Sequence, residues 1–216
     1  MLGDKEALKA CIRDTLSSRE RRTLPMDGLK ESAVLVPLCW KGSDPMVLVT
    51  KRSMNVEHHK GEISFPGGRS ETYDHDICST ALREAEEEIG MKPADVELLG
   101  LLDDHISLLG YHITPVVGTV PYPYDFRINS ESDILLSVPL SKILSDSAWM
   151  AEKTVFLGKG INIYYLEIEG GFVWGATGRM LKQFANLLAG RPIPYGPVSP
   201  EARAWVQDLR VLQAGS

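Results

Sequence analysis

Residues Gly61–Met91 read GEISFPGGRSETYDHDICSTALREAEEEIGM, and the fold turns on how they are parsed. Glu62–Phe65 has the character of a short strand. Pro66-Gly67-Gly68 turns the chain, and a polar loop leads into a helix that stops at Gly90, with Pro93 close behind. Gly just past the last turn and Pro beyond it are stop signals: Gly takes the left-handed C-cap without a Cβ clash, and Pro cannot continue the helical ladder. At about 100° per residue, Glu84, Glu87 and Glu88 fall within an arc of roughly 100°, while Glu86 points elsewhere. Ile77, Cys78, Ala81, Leu82, Ala85 and Ile89 form a neighbouring apolar stripe that should bury the helix against a sheet.

Three carboxylates on one side of a helix repel each other, and their clustering costs stability unless a cation sits among them. Hard divalent ions with oxygen ligands meet that need, and Mg²⁺, which keeps waters and binds substrate phosphates, leads. An acidic run alone reads as a solvated helix face. Two features set this one apart: the Gly-Gly turn directly upstream, and Arg83 placed four residues before Glu87. Gly67 and Gly68 allow close backbone approach, and Gly68 could offer its carbonyl as a further ligand.

This stretch resembles the Nudix box: a glycine, five variable residues, Glu, seven variable residues, then R-E-(apolar)-x-E-E-x-G-(apolar). Arg83-Glu84-Ala85-Glu86-Glu87-Glu88-Ile89-Gly90-Met91 fits the second half at every specified position. In the first half Gly68 lies one residue too far from Arg83, and His75, flanked by Asp74 and Asp76, takes the place of the first Glu.

The rest of the 216-residue chain fits one domain with decorations: an extension over 1–30, then a single domain over 31–216. With 44% hydrophobic residues there is enough apolar material for a sizeable core. A net charge of −6 argues against sequence-independent nucleic-acid binding and against adhesion to an acidic membrane. No apolar run is long enough to span a bilayer, and Met1–Glu20 lacks the pattern of a signal peptide. Cys11, Cys39 and Cys78 are widely spaced and read as reduced thiols. Gln213–Ser216 is not a peroxisomal address, so the expected location is cytoplasmic.

Periodicity predicts an N-terminal helix over 4–20, a loop over 19–32, and a hairpin of Ala33–Trp40 and Met46–Lys51. Further strands are predicted at Val96–Leu102, Ile113–Val120, Ile134–Val138, Val155–Leu157 and Ile161–Ile168, and helices at Trp174–Leu188 and Pro200–Leu212. Strands dominate early and helices interrupt them, which predicts an α+β fold, an α/β/α sandwich around a mixed sheet. The resemblance implies the same sandwich.

The segment before the box narrows the resemblance. Val47-Leu48-Val49-Thr50-Lys51-Arg52-Ser53, followed by His59-x-Gly61-Glu62-Ile63-Ser64-Phe65-Pro66-Gly67-Gly68, is similar to the signature of the coenzyme A diphosphatase branch. So are Thr80–Ala85, Thr114–Gly118 and Trp174-Gly175-Ala176-Thr177, and the likeness spans about residues 33–190. The branch has Arg where this chain has Glu57.

The resemblance implies a small-molecule substrate, coenzyme A or a related nucleotide, and Mg²⁺ or Mn²⁺ as cofactor. Glu84, Glu87 and Glu88, with Gly68, are the implied metal ligands; Glu84 is alternatively the group that orients or deprotonates water. Arg83 is expected to brace the cluster. Glu131, in Asn129-Ser130-Glu131-Ser132-Asp133, matches a family acid beyond the box. Arg52, His59, Gly67 and Gly68 are the expected substrate-binding residues. His105 and His112 are read as structural or solvent-facing, and Trp174 as a packing residue. No nucleic-acid or membrane partner is expected; a homodimer is the one assembly carried forward. Three readings stay open: a coenzyme A diphosphatase, a hydrolase of another nucleoside diphosphate derivative, and a silent nucleotide-binding module.

Overall fold

The computed structural model describes residues 3–56, 59–107, 109–156 and 158–214, so Glu57 and His58 lie outside the described residues. In chain order the elements are α1 (Lys5–Ser17), β1 (Lys30–Lys41), β2 (Asp44–Arg52), β3 (Ile63–Ser64), β4 (Gly67–Arg69) and α2 (Ile77–Ile89). A 3-10 turn, Pro93–Asp95, leads to β5 (Glu97–Leu101), β6 (His105–Ile106), β7 (Tyr111–Thr119) and β8 (Ser132–Pro139). The chain ends with α3 (Leu140–Ile143), β9 (Trp149–Phe156), β10 (Lys159–Ile168), β11 (Gly171–Val173), α4 (Gly175–Ala189) and α5 (Pro200–Ala214).

The main sheet is mixed. Its spine runs β3-β2-β1-β7-β5, with β8 added to β2, β4 to β1 and β6 to β7. β1 and β7 pair in parallel, Leu35 opposite Val116, while β1 and β2 pair antiparallel from Leu38↔Val47 out to Lys41↔Asp44. That hairpin closes on the two residues Gly42-Ser43, a tighter connection than the five-residue separation read from the sequence. Gly42 takes φ 65°, where a Cβ would be strained. A second, antiparallel sheet has the order β11-β10-β9.

Alternation along β1 sorts the core into two layers. Ala33, Leu35 and Cys39 face α2 and meet Ala81, Ala85 and Ile89, the apolar stripe of that helix. Val36, Leu38 and Trp40 face the other way, onto Leu8, Ile12 and Leu16 of α1 and Met180, Leu181 and Phe184 of α4. A strand buried on both faces reads as a near-continuous apolar run, and β1 does. The α+β sandwich with a mixed sheet is therefore the observed architecture.

The structure alters several local expectations. β1 begins at Lys30, inside the predicted loop, because Lys30–Leu38 zips in register onto β7. β9 starts at Trp149 rather than Val155; its first half pairs with Met150↔Tyr165 and Ala151↔Tyr164. β4, β6, β11 and α3 were not predicted: each is four residues or fewer and owes its form to a neighbour rather than to its own period.

Candidate active site

The site is built where α2, the Gly-Gly strand β4, the end of β2 and the loop before β8 meet. α2 starts on Asp76, whose carboxylate accepts from the Ser79 N–H at 2.7 Å while the Ser79 hydroxyl accepts from the Asp76 N–H at 2.8 Å. This capping box fixes where the helix begins and hence which way its acids face. The helix ends on Gly90 in the left-handed region, φ 70°. Its last carbonyls are taken up by the following loop: Arg127 N–H donates to Ile89 at 3.0 Å and Asn129 N–H to Glu88 at 2.9 Å. The Asn129 side chain then accepts from the Glu131 N–H at 2.9 Å, and Ser53 N–H donates to the Glu131 carbonyl at 2.8 Å. Glu131 is thus stapled between the end of α2 and the end of β2, although more than 40 residues separate it from Glu88.

β4 closes the other side. It pairs antiparallel with β1, Gly67 opposite Val34 and Gly68 opposite Ala33. A Cβ at Gly67 would lie 2.4 Å from the Ala33 carbonyl oxygen, and one at Gly68 would lie 2.5 Å from the Glu84 carboxyl. Both positions need glycine for close approach, for two different reasons: backbone pairing at Gly67, room for an acid at Gly68.

The four acids have unlike surroundings. Glu88 is 7% exposed, and burial pushes its carboxyl up to about 8; Arg52 and a Gly67 N–H pull the other way, and the charges of Glu84 and Glu131 add to the rise. Glu84 is also raised, again chiefly by burial, against the pull of Arg83. The side chains of Glu87 and Glu131 are about half exposed, at 55% and 53%.

Two arginines balance them. Arg83 Nη1 reaches Glu84 at 2.8 Å and Glu87 at 3.2 Å, and its Nη2 donates to the Arg69 carbonyl at 2.8 Å. Its other edge is taken by Asp74, Nε to Oδ1 at 3.0 Å and Nη2 to Oδ2 at 3.1 Å. Arg83 thus hydrogen-bonds two acids of the site, Glu84 and Glu87, and is held in turn by Asp74 and the Arg69 carbonyl. Arg52 Nη2 pairs with Glu131 Oε2 at 3.1 Å.

Asp74 is the residue that sequence reading underrated. Its side chain is buried beneath Thr80 and Arg83, and hydrogen bonding from Arg83 holds its carboxyl down at about 2. The signal was present: Asp74 is one position from the place where the family pattern has its first Glu, and the extra residue in the loop accounts for the shift.

Of the predicted site residues, Glu84, Glu87, Glu88, Glu131, Arg83, Arg52, Gly67 and Gly68 come together. His59 sits in the loop between β2 and β3 with φ 59°, and its Nδ1 lies 3.0 Å from Glu62. His75 is exposed. His112 is buried against Asp104 at 3.0 Å, and His105 is buried with its imidazole pushed down to about 4 by desolvation. Trp174 stacks on Tyr165 at 6.4 Å, a packing role.

The donor set suits a hard divalent ion. A buried carboxylate raised by burial, flanked by two more acids and roofed by a glycine backbone, gains most from a nearby cation. As the side chains stand, no three acidic, histidine or cysteine side chains among the described residues form a finished cage. Glu84 and Glu87 are turned onto Arg83, and Glu131 onto Arg52.

The sequence model of the NUDIX domain matches residues 29–155, from just before β1 to the last residue but one of β9. The chain belongs to the Nudix hydrolases. It is 36% identical over 158 residues to an uncharacterized Nudix hydrolase, NudL, of Yersinia pestis (strain Pestoides F), covering 73% of this chain and 79% of NudL. The NudL of Yersinia pseudotuberculosis serotype O:1b matches to the same degree, 36% over 158 residues. Among solved structures, a MutT/nudix family protein of Enterococcus faecalis superposes with a TM-score of 0.48 at 12% identity, over 88% of this chain and 76% of that one. As a Nudix hydrolase this chain acts on acid anhydrides in phosphorus-containing compounds, chemistry for which the family needs divalent metal ions. None of its described helices is long and apolar enough to cross a membrane.

Proposed function

We propose that this Nudix hydrolase uses Mg²⁺ or Mn²⁺ to cleave the diphosphate of coenzyme A or its thioesters, giving 3′,5′-ADP and a 4′-phosphopantetheine. The observation that carries the reaction class is the convergence of buried Glu88 with Glu84, Glu87 and Glu131 beside the Gly67-Gly68 backbone. The substrate reading is supported by the stretch Arg52–Gly68, which resembles the signature of the coenzyme A diphosphatase branch.

Each residue then has a task. Glu84, Glu87, Glu88 and the Gly68 carbonyl would hold the ion, and Glu131 would add a further acid from the facing loop. Such an ion neutralises phosphoryl oxygens and lowers the pKa of a bound water. Glu84 has a second candidate task, orienting or deprotonating the attacking water. Arg83 touches no substrate in this reading; it sets the directions of Glu84 and Glu87. Arg52 and His59, with the Gly67 backbone, would face the diphosphate. Three free thiols, Cys11, Cys39 and Cys78, suit a reducing cytoplasm.

A second reading, hydrolysis of another nucleoside diphosphate derivative, is favoured by Glu57 standing where the branch has Arg. A basic residue there would suit an anionic substrate. One assay separates the two. The purified protein with Mn²⁺ or Mg²⁺ is offered coenzyme A, acetyl-coenzyme A, an adenine dinucleotide, ADP-ribose and an oxidised deoxynucleoside triphosphate. Rapid turnover of coenzyme A is the expected result; cleavage of the others with coenzyme A untouched overturns the substrate assignment.

A further inference from the structure

Arg52 occupies an unusual electrical position. It ends β2, and its backbone is locked to the loop ahead of β3: its N–H donates to the Glu62 carbonyl at 2.8 Å and its carbonyl accepts from the Gly61 N–H at 3.2 Å. The root of its side chain is thereby held at the end of β2, within reach of the loop that carries Glu131. There Nη2 pairs with Glu131 at 3.1 Å, and the same charge is the foremost influence drawing the buried Glu88 carboxyl down. Nε is buried and has no hydrogen-bond partner among the described residues. So the fork is only partly used, and an unmade bond at a buried donor is costly.

Guanidinium does not lose its proton in a protein, so this charge cannot be switched off as an imidazole's can. A divalent ion drawn to Glu88 and Glu131 must contend with a fixed cation already paired to one of them. Two like charges a few ångströms apart do not share the same carboxylates without loss. A diphosphate offers Arg52 an alternative: a pair of phosphoryl oxygens that can accept from two N–H groups of the planar guanidinium and would also satisfy the idle Nε.

We propose that Arg52 is an exchangeable counter-ion: it pairs with Glu131 beside the buried Glu88 carboxyl, yields those two acids to the divalent ion, and passes its own charge to the diphosphate. This rests on the reading of Glu88 and Glu131 as ion-facing acids. It gives the site an order, because ion and substrate each remove the obstacle to the other. Arg52 then opposes the ion alone and favours the ion with its diphosphate.

The test reads binding rather than turnover. Mn²⁺ is titrated by electron paramagnetic resonance into the parent, Arg52→Gln, Arg52→Lys and Glu88→Gln proteins, with and without methylene-diphosphonate. Arg52→Gln is expected to bind Mn²⁺ alone roughly three- to tenfold more tightly than the parent, and to lose the extra tightening that methylene-diphosphonate gives the parent. Arg52→Lys, which keeps the charge, should stay within about twofold of the parent for Mn²⁺ alone. Unchanged or weaker Mn²⁺ binding by Arg52→Gln overturns the proposal. Glu88→Gln separates the two failures: if it binds Mn²⁺ as the parent does, the ion reading itself has failed; if it binds more weakly while Arg52→Gln shows no gain, only the counter-ion falls. The unmutated protein gives an independent check: the Arg52 Nε–H resonance should shift as Mg²⁺ and methylene-diphosphonate are added, and an unmoved signal refutes the exchange.

Discussion

Arg83 and Asp74 meet through two parallel hydrogen bonds, Nε to Oδ1 at 3.0 Å and Nη2 to Oδ2 at 3.1 Å, so the loop before α2 grips the arginine that directs two of the site's acids. A bidentate carboxylate–guanidinium pair fixes angle as well as distance. Freed on that edge, the guanidinium would keep its hydrogen bonds to Glu84, Glu87 and the Arg69 carbonyl and its place over the Tyr73 ring, none of which grips it bidentately.

Asp74→Asn should therefore lower kcat by about ten- to a hundredfold, the scale of a misplacement of roughly 1 Å near the chemistry, with little change in KM. Steady-state kinetics on the substrate found active would show it; a parent-like kcat would remove Asp74 from the machinery. The same carboxyl is held down at about 2 from an ordinary 3.8. Its contribution to stability is in full force above pH 3.8 and is lost as pH falls through about 2. Acid unfolding of Asp74→Asn should accordingly be less steep across that window than that of the parent.

The two glycines of β4 should fail in opposite ways. At Gly67 an added Cβ meets backbone, the Ala33 carbonyl at 2.4 Å and Val34 Cα at 2.6 Å, and neither can move without undoing the β1–β4 pairing. Gly67→Ala should cost roughly 3 kcal/mol, read by denaturant unfolding. At Gly68 the Cβ meets the far end of a flexible side chain, the Glu84 carboxyl, at 2.5 Å. Gly68→Ala should unfold within about 1 kcal/mol of the parent, yet lose about a hundredfold in kcat because Glu84 is pushed aside. Equal stability losses in both would contradict this division.

Glu88 carries a pH signature. Its carboxyl is raised from an ordinary 4.5 to about 8, so between those values the fold keeps a proton that the unfolded chain has given up. Stability drains away as pH rises through that range, and no further above it. With chelator present, Glu88→Gln should melt higher than the parent at about pH 8.5, the difference closing towards pH 5. A parent that melts higher at pH 8.5 would show that Glu88 is better compensated than its burial implies.

Glu87 is the converse case. Its side chain is 55% exposed and bonds only to Arg83 among the described residues. Glu87→Gln should change stability by no more than about 0.5 kcal/mol while cutting kcat by orders of magnitude. Thermal melting and single-turnover kinetics on one preparation measure both, and a near-parental rate would remove Glu87 from the ion-binding set.

How far the sequence reaches can be read element by element. The helix over Ile77–Ile89 was legible to the residue at its end, since Gly90 and the apolar stripe are local signals. The β1–β2 hairpin and the helices α1, α4 and α5 were legible for the same reason. β4 was not: Gly67-Gly68-Arg69 has no strand period, and it is a strand only because β1 lies alongside. The aspartate beside the missing box Glu was visible, but its grip on Arg83 was not, because it depends on how the loop folds back across the helix.

By itself, then, the sequence determined that Glu84, Glu87 and Glu88 share one helical side, that the neighbouring stripe is apolar, and that a Gly-Gly turn precedes them. Those are consequences of period and backbone freedom, which reach only a few residues along the chain. Tertiary structure decided the rest: that Glu88 is buried and Glu87 is not, that Asp74 holds Arg83, and that Glu131 and Arg52 arrive beside Glu88. Burial and charge pairing depend on which distant segments are packed together, and here β1, the end of β2 and the loop before β8 set the surroundings in which each acid of that helix must work.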